Sequence, residues 1–248
     1  MDFSTYHTEL LSKLQSLGET HRINAARNDK KSQLEFLAIR VPVLRKAVRD
    51  GFSFYNLPAD EILAVWNDIW FSSPSFEAMS AALIYYELQG AKIRPETWTI
   101  LSTWHIRVEN WAHCDSLANI YSYLLAQRKD EIYGQLQEWN MSDNQWLRRL
   151  SLISLIHYSG KKAVFMPLNE VLPLISNCIQ DKRLYVQKAV GWVLRETGYV
   201  YPDEVCAYLL NHMAEMTGIA FTTSIDCFSS QERKNLAAQR KSARGAAR

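Results

Sequence analysis

The chain has 248 residues, of which 48% are hydrophobic, enough apolar material for the core of one large domain or two small ones. This composition excludes a disordered or collagen-like chain. Lysine and arginine number 28 against 26 aspartates and glutamates, a formal net charge of +2, so bulk charge alone does not indicate a polyanionic partner.

Apolar residues recur at helical spacing along almost the whole chain, and no segment shows the alternation of a strand. The spacing predicts an all-α fold. The predicted helices are Thr8–Leu17, Val43–Val48, Asp60–Phe71, Phe76–Leu88, Glu96–Val108, Asn110–Leu125, Glu131–Trp139, Asn144–Tyr158, Leu168–Ile179, Leu184–Thr197 and Asp203–Met216.

Prolines and glycines bound these predicted helices. First-turn prolines are expected at Pro58, Pro74, Pro95 and Pro202. Helix-terminating glycines are expected at Gly18, Gly90, Gly160 and Gly198. Pairs of helices begin roughly every 35 to 40 residues, near positions 58, 94, 130, 165 and 202, as in HEAT-type arrays. We therefore expect a curved solenoid of about six antiparallel HEAT-like helix pairs with a concave basic face; a closed helical bundle is the alternative.

The charges are segregated along the chain. Residues 144–195 hold eight basic and two acidic residues, which is +6, and residues 229–248 hold six and one, which is +5. Acidic segments between the basic ones reduce the sum to +2. We expect a single HEAT-like domain over residues 1–228, followed by a basic C-terminal tail over 229–248 whose distal half is disordered. Both a solvated terminus and a DNA-contacting arm remain open for the tail.

Nothing in the sequence predicts a secreted, membrane or metal-binding protein. The N-terminal residues lack a basic n-region, and no segment approaches the ~20 apolar residues of a membrane span. The four cysteines are far apart and no CxxC pair occurs, so free thiols in a reducing cytosol are expected. No Gly-rich phosphate loop, GxSxG or HExxH occurs either. We expect a cytoplasmic protein without a metal or cofactor.

The predicted helix Asn110–Leu125 carries polar and aromatic residues on one flank. Trp111, Asp115 and Ser122 fall together beside its apolar stripe. A large ring and a carboxylate one turn apart can make a shallow site. The alternative is an interface tryptophan and a surface aspartate.

The predicted helix Leu184–Thr197 has an unusual polar face. Lys188, Trp192 and Arg195 follow one another at i, i+4 and i+7, which suits contact with a sugar-phosphate backbone. Gly191 lies inside this helix, where glycine costs roughly 1 kcal/mol against alanine, so something approaches its backbone closely. A ligand and a tightly packed neighbouring helix are both open.

Two adjacent arginines in the predicted helix Asn144–Tyr158 have different surroundings. Arg148 has polar helical neighbours and is expected to be solvated. Arg149 has apolar neighbours, so its guanidinium should be partly enclosed and paired with an anion. An internal carboxylate and a phosphate are both possible partners.

Four segments together resemble the AlkD-type DNA alkylation repair family of HEAT-like-repeat DNA glycosylases. The closest match is Val186–Glu196; Asn110–Ser116 is similar to the family's Trp-x-x-x-Asp segment and Asp143–Ile153 to its Trp-x-x-Arg segment. Phe36–Lys46 resembles the N-terminal F-L-G-I-x-x-P-x-x-R segment, with Ala38 in the glycine position. The resemblance covers about residues 20 to 220 in order and spacing, and the tail beyond about 230 has no counterpart.

The resemblance implies hydrolysis of the N-glycosidic bond of N3- and N7-alkylated purines in duplex DNA, which initiates base excision repair, without a pocket for a flipped base. An alkylated purine is already cationic and leaves as a neutral base, so no general acid is needed. Positive charge then builds up on the sugar. By the match, Asp115 stabilises that cation and orients a water molecule.

The other residues would hold the substrate. By the match, Trp111 and Trp192 flank the deoxyribose and Arg149 holds the phosphate beside the lesion. Lys188 and Arg195 are neighbouring backbone contacts inferred from their helix face. The expected partner is double-stranded DNA containing alkylated purines, bound by a monomer.

Two other functions remain open. One is a non-catalytic DNA-binding relative that recognises altered or branched DNA, although such a protein gains nothing from a carboxylate facing phosphates. The other is a HEAT-like protein-binding scaffold whose tryptophans anchor a partner. Only DNA binding should weaken steeply with ionic strength.

Overall fold

The computed structural model describes residues 3–157 and 164–246. Over these residues the chain forms fourteen α-helices with short 3₁₀-helices and loops between them, and the β pairing consists of two isolated bridges. The predicted all-α fold is confirmed. The α-helices are α1 Ser4–Gln15, α2 Ile23–Lys30, α3 Val41–Asp50, α4 Ala59–Ser72, α5 Phe76–Glu87, α6 Trp98–Leu101, α7 Trp111–Leu125, α8 Lys129–Asn140, α9 Gln145–Ile153, α10 Leu168–Cys178, α11 Leu184–Gly198, α12 Pro202–His212, α13 Gly218–Ser224 and α14 Ser230–Ala246.

Several predicted helices have different bounds in the structure. Glu96–Val108 contains only the single α-turn α6, between two 3₁₀-helices. Helix α9 ends at Ile153, whereas Tyr158 and Gly160 lie outside the described residues. Helices α2, α13 and α14 are not among the predicted helices. Among the described helices, none has the length and apolar character to cross a bilayer.

The observed helix boundaries agree with only some of the predicted proline and glycine positions. Pro202 is the first residue of α12, as expected, but Pro58 lies one residue before α4. The cap of α5 is Ser75, whose hydroxyl accepts a hydrogen bond from Ala78 N. Gly198 does not terminate α11 in a left-handed conformation; it is the last helical residue.

The chain divides into two compact units, Met1–Ile120 and Tyr121–Arg248. The single domain that the sequence predicts over residues 1–228 stays a prediction. Within the units, α4 packs against α5, α8 against α9 and α10 against α11. The observed starts of α4, α8, α10 and α12 agree with the predicted pair starts near 58, 130, 165 and 202.

The basic tail differs from its prediction. Where we expected a disordered distal half, helix α14 continues to Ala246. The helix is held by Leu236, which is buried, and by Arg240, whose Nε and Nη2 donate to the carbonyls of Met213 and Met216. These carbonyls follow the end of α12, where they have no intrahelical partner. An arginine that looks solvated in the sequence therefore fastens α14 to the segment that follows α12.

Aromatic packing forms the core of the first unit. The Trp70 and Trp104 rings stack with centroids 4.9 Å apart, and Trp70 Nε1 donates to the Trp104 carbonyl at 3.0 Å. Trp66 packs edge-on against Phe52 and Phe54. These buried rings fix α4 against the segment that leads into α7.

A buried carboxylate organises the loop before α3. Glu77, in the first turn of α5, accepts hydrogen bonds from the backbone N–H groups of Leu37, Ala38 and Ile39. Burial raises the pKa of Glu77 above its ordinary value, although the backbone bonds favour the charged form. Ala38 has φ of 58°, a left-handed conformation that costs a side-chain-bearing residue on the order of 1 kcal/mol. This geometry explains why glycine would be preferred at that position.

Candidate nucleic-acid interface

Helix α7 begins at a side-chain cap and carries two of the predicted site residues. Asn110 Oδ1 accepts a hydrogen bond from His113 N at 2.9 Å, so Asn110 fixes the first turn. Trp111 and Asp115 then lie one turn apart on the same face. His113 points elsewhere: its ring stacks on Phe76 with centroids 4.3 Å apart, and it is buried.

Trp111 is held by helix α2, which the sequence did not reveal. Its Nε1 donates to the carbonyl of Asp29 at 3.0 Å. Lys30 Nζ lies 4.0 Å from the centre of the Trp111 ring, a cation–π contact. One face of the half-buried indole is therefore already in contact with a cation.

Asp115 belongs to a buried polar stripe along α7. It is 7% exposed, Asn119 is 9% exposed and Ser122 is fully buried. The spacing i, i+4 and i+7 places the three side chains on one face. Asn119 was not singled out in the sequence, although this spacing could have revealed it. A carboxylate with so little water around it interacts more strongly with a nearby cation than an exposed one does.

A stack of three rings lies beside the C-terminal part of this stripe. Ser122 Oγ is 2.8 Å from His157 Nδ1. The His157 ring stacks between Tyr123 and Phe165, with centroid distances of 4.6 and 4.2 Å. Burial lowers the pKa of His157. The stack joins residues distant in sequence, so no local pattern could have predicted it.

Arg149 on α9 is more deeply buried than predicted. It is 4% exposed, and its Nη1 donates to the Tyr185 carbonyl at 2.6 Å. The Trp146 ring lies 5.0 Å from the Tyr185 ring, so α9 contacts the start of α11 through two residues. The prediction of an enclosed guanidinium is confirmed; the phosphate contact stays a prediction.

Arg148 is not solvated, contrary to the expectation from its helical neighbours. Its Nε donates to the Ser142 carbonyl at 2.7 Å, and its Nη1 is 3.2 Å from Asp181 Oδ2. Asp181 also pairs with Arg183. Burial alone would raise the pKa of Asp181, but the hydrogen bonds from Arg183 and the charge of Arg148 hold it below its ordinary value. Arg148 therefore belongs to an internal ion-pair cluster.

Helix α11 presents the predicted polar face. Lys188 is exposed and Trp192 and Arg195 are half-buried, while Val186, Val190 and Val193 on the opposite side are fully buried. Arg195 Nη2 lies 2.6 Å from Glu196 Oε1, so its charge is partly neutralised within the helix. Lys188 is thus the more available cation of the two.

The close approach at Gly191 is a packed helix. A Cβ added there would lie 2.7 Å from the Ala220 carbonyl oxygen and 2.8 Å from Thr223 Cβ, both on α13. Thr217, which caps α13, donates to Gln187 Oε1 on α11 at 2.8 Å. Helix packing accounts for this glycine without a ligand.

The structure therefore places the predicted site residues in two groups. Trp111 and Asp115 lie on α7 in the first unit; Lys188, Trp192 and Arg195 lie on α11 in the second, next to the α9 residue Arg149. In the portion of the chain that the structure describes, no cluster of three or more His, Cys, Asp or Glu side chains could hold a metal ion.

A family model described as "DNA alkylation repair enzyme" matches residues 10–228. The structure is similar to that of a predicted DNA alkylation repair enzyme from Enterococcus faecalis, with a TM-score of 0.70 and 14% sequence identity, covering 86% of this chain and 97% of that one. No curated protein matches the sequence.

Two proteins of Streptococcus mutans also share the fold. AlkD2 gives a TM-score of 0.56 at 17% identity, covering 86% of this chain and 100% of that one. The smu.31 protein of strain UA159 gives 0.55 at 18% identity, covering 76% and 93%. At such low identities these likenesses establish the fold alone.

Proposed function

The chain belongs to the family of DNA alkylation repair enzymes, and from that membership we propose that it is a DNA glycosylase. It hydrolyses the N-glycosidic bond of N3- and N7-alkylated purines in duplex DNA and so initiates base excision repair. It acts as a cytoplasmic monomer, without a metal, a cofactor or a pocket for a flipped base.

The observation that carries this function is the arrangement on α7. Trp111 and Asp115 lie one turn apart on one helix, and Asp115 is almost wholly removed from water. A cationic purine takes both electrons of the breaking bond and leaves neutral, so the sugar becomes the cation. The dehydrated carboxylate of Asp115 stabilises this cation and orients the water whose oxygen bonds to C1′, and that water releases one proton to solvent as the bond forms.

The remaining residues bind the DNA around the reacting sugar. The rings of Trp111 on α7 and Trp192 on α11 each pack on deoxyribose of the bound DNA, and Arg149 holds the phosphate beside the lesion. Lys188, which is exposed, and Arg195 contact the neighbouring backbone from α11. These contacts are made to sugar and phosphate, so they favour no particular base sequence.

Release of N7-methylguanine from duplex DNA tests this function. Because Asp115 acts on the charge that develops in the transition state, Asp115→Asn should slow base release by about 100-fold or more while duplex binding is retained. Asp130→Asn, a change of the same kind on exposed surface of α8, is the matched control and should release base at the wild-type rate. Equal release from the wild type and Asp115→Asn would rule out the role of Asp115.

A second candidate function is recognition of altered DNA without catalysis. It is favoured by the burial of Asp115 and Arg149, which are 7% and 4% exposed, because a reacting sugar needs direct access to the carboxylate. No base release by the wild type, together with salt-dependent binding to duplex DNA, would select this function over the glycosylase.

A further inference from the structure

A groove lined by cations lies between α13 and α14 in the second unit. Its volume is about 670 Å³. Five of its eight lining residues belong to α14 and so lie beyond the family match, which ends at residue 228. The lining residues are Phe221, Thr222, Ile225, Ala237, Arg240, Lys241, Arg244 and Gly245.

No acidic side chain among the described residues neutralises the positive charge of this groove. None of the described residues that line it is acidic, and Arg240, Lys241 and Arg244 form no ion pair with any described residue. Arg233, nearer the start of α14, differs because its Nη1 lies 3.4 Å from Asp226 Oδ1. Burial and the charge of Arg244 both lower the pKa of Arg240, as expected for cations held together without a counter-ion.

Two of the three cations are fixed in place by the fold. Arg240 lies over the Phe221 ring, 4.5 Å from its centre, and donates to the carbonyls of Met213 and Met216. Arg244 Nε donates to the Ala214 carbonyl at 3.3 Å. Lys241 is exposed between them. Two fixed arginines and an exposed ammonium, with Thr222 also lining the groove, suit a phosphate group.

Helix α13 relates this groove to the polar face of α11. Its Ala220 and Thr223 pack on Gly191, one residue before Trp192, and its Phe221 packs under Arg240. Helix α13 packs against α11, at the 8–10 Å typical of packed helix axes, and the Phe221–Arg240 contact brings α14 beside α13, so α11 and α14 are on the order of 20 Å apart. A DNA strand with a phosphate every ~3.4 Å along the axis covers that distance in about six nucleotides.

We propose that the α13–α14 groove binds a phosphate of the DNA backbone, on the flank of the segment that α11 contacts. The inference uses duplex DNA as the partner of the proposed function, but it does not require catalysis. It assigns the basic tail to DNA contact through a folded helix.

The salt dependence of binding to an undamaged duplex tests the groove. Fluorescence anisotropy with a duplex of about 25 base pairs, from about 50 to 200 mM NaCl, gives the slope of log K against log salt. Lys241→Gln removes one groove charge and should make that slope shallower by about 0.9. Lys234→Gln removes one exposed charge from the same helix, outside the groove, and should leave the slope unchanged.

The other outcomes overturn the assignment. Equal changes from both variants would indicate a general charge effect, and no change from either would show that DNA does not reach the groove. If inorganic phosphate raises the wild-type melting temperature but not that of Lys241→Gln, while the DNA slope is unaffected, the groove binds free anions only. Since the duplex is undamaged, absence of base release by the wild type does not affect this test. Normal base release by Lys241→Gln would likewise give no support to DNA binding in the groove.

Discussion

The ammonium group of Lys30 lies 4.0 Å from the centre of the Trp111 ring, while the Trp111 indole nitrogen donates to the backbone of Asp29. The end of α2 thus sets the orientation of a tryptophan that the proposed glycosylase places against the deoxyribose. The cation also occupies one ring face, so only the remaining indole surface is open to DNA.

Removal of this cation should loosen Trp111 without displacing it. Lys30→Met keeps an apolar stem over the ring but loses the cation–π contact, so we expect a loss of about 0.5–1 kcal/mol in unfolding free energy. Base release should fall by less than about tenfold because the indole keeps its bond to Asp29. Thermal melting and single-turnover base release measure the two effects. Arg27→Met, an exposed change on the same helix, should change neither the unfolding free energy nor the rate of base release. An equal loss of stability in Arg27→Met would contradict the role of the Lys30–Trp111 contact.

Arg149 should contribute to both stability and DNA binding. Arg149→Ala leaves the Tyr185 carbonyl without its 2.6 Å hydrogen bond, so unfolding free energy should fall by about 1–3 kcal/mol. Binding to lesion-containing duplex should weaken as well, measured by anisotropy at a temperature where the variant is folded.

Arg148→Ala is the matched control for Arg149→Ala. It breaks the pair with Asp181 and should also destabilise the second unit, but it should leave the dissociation constant for DNA unchanged. If Arg149→Ala binds DNA with the same dissociation constant as the wild type, the role of Arg149 is structural only.

Two helical glycines should respond to alanine in opposite directions. Gly191→Ala drives a Cβ to within 2.7 Å of a backbone oxygen of α13, so α13 must shift, at a cost of about 1–3 kcal/mol. Around Gly134, in α8, nothing lies within 4 Å of an added Cβ, so Gly134→Ala should stabilise by about 0.5–1 kcal/mol. Chemical denaturation measures both, and a neutral Gly191→Ala would show that α11 and α13 are packed less tightly.

The sequence predicted those parts of the fold in which periodicity and burial coincide. The face of α11 was predicted because Val186, Val190 and Val193 are all fully buried. Helix α2 was not predicted because none of its residues is buried, so its sequence has no apolar period to detect. In α14 the packing involves Arg240, whose alkyl stem and guanidinium look solvated in a sequence.

The sequence identified individual candidate site residues, but it did not predict their contacts with residues distant in the chain. Helical neighbours correctly placed Arg149 in an enclosed position, yet they failed for Arg148, whose partner Asp181 is 33 residues away. Likewise, the sequence places Ala38 where the family has glycine, but only its φ of 58° shows the backbone requirement behind that glycine. Such effects depend on tertiary contacts, which local spacing does not encode.

His113 should make the stability of the protein depend on pH. Burial lowers its pKa from 6.5 to about 3 in the folded chain, so the folded state keeps the ring neutral where the unfolded state binds a proton. The stabilisation is complete above pH 6.5 and is lost as the pH falls from there towards 3, with a slope of up to about 1.4 kcal/mol per pH unit.

Urea denaturation between pH 6.5 and 5 measures this effect before most carboxylates titrate. His113→Gln should be less stable at neutral pH, because the ring stacks on Phe76 and contacts Ser80, but it should lose less stability on acidification than the wild type. The change of the wild-type stability with pH is the reference slope. If His113→Gln keeps that slope, His113 is protonated in the folded protein, and its burial does not exclude charge.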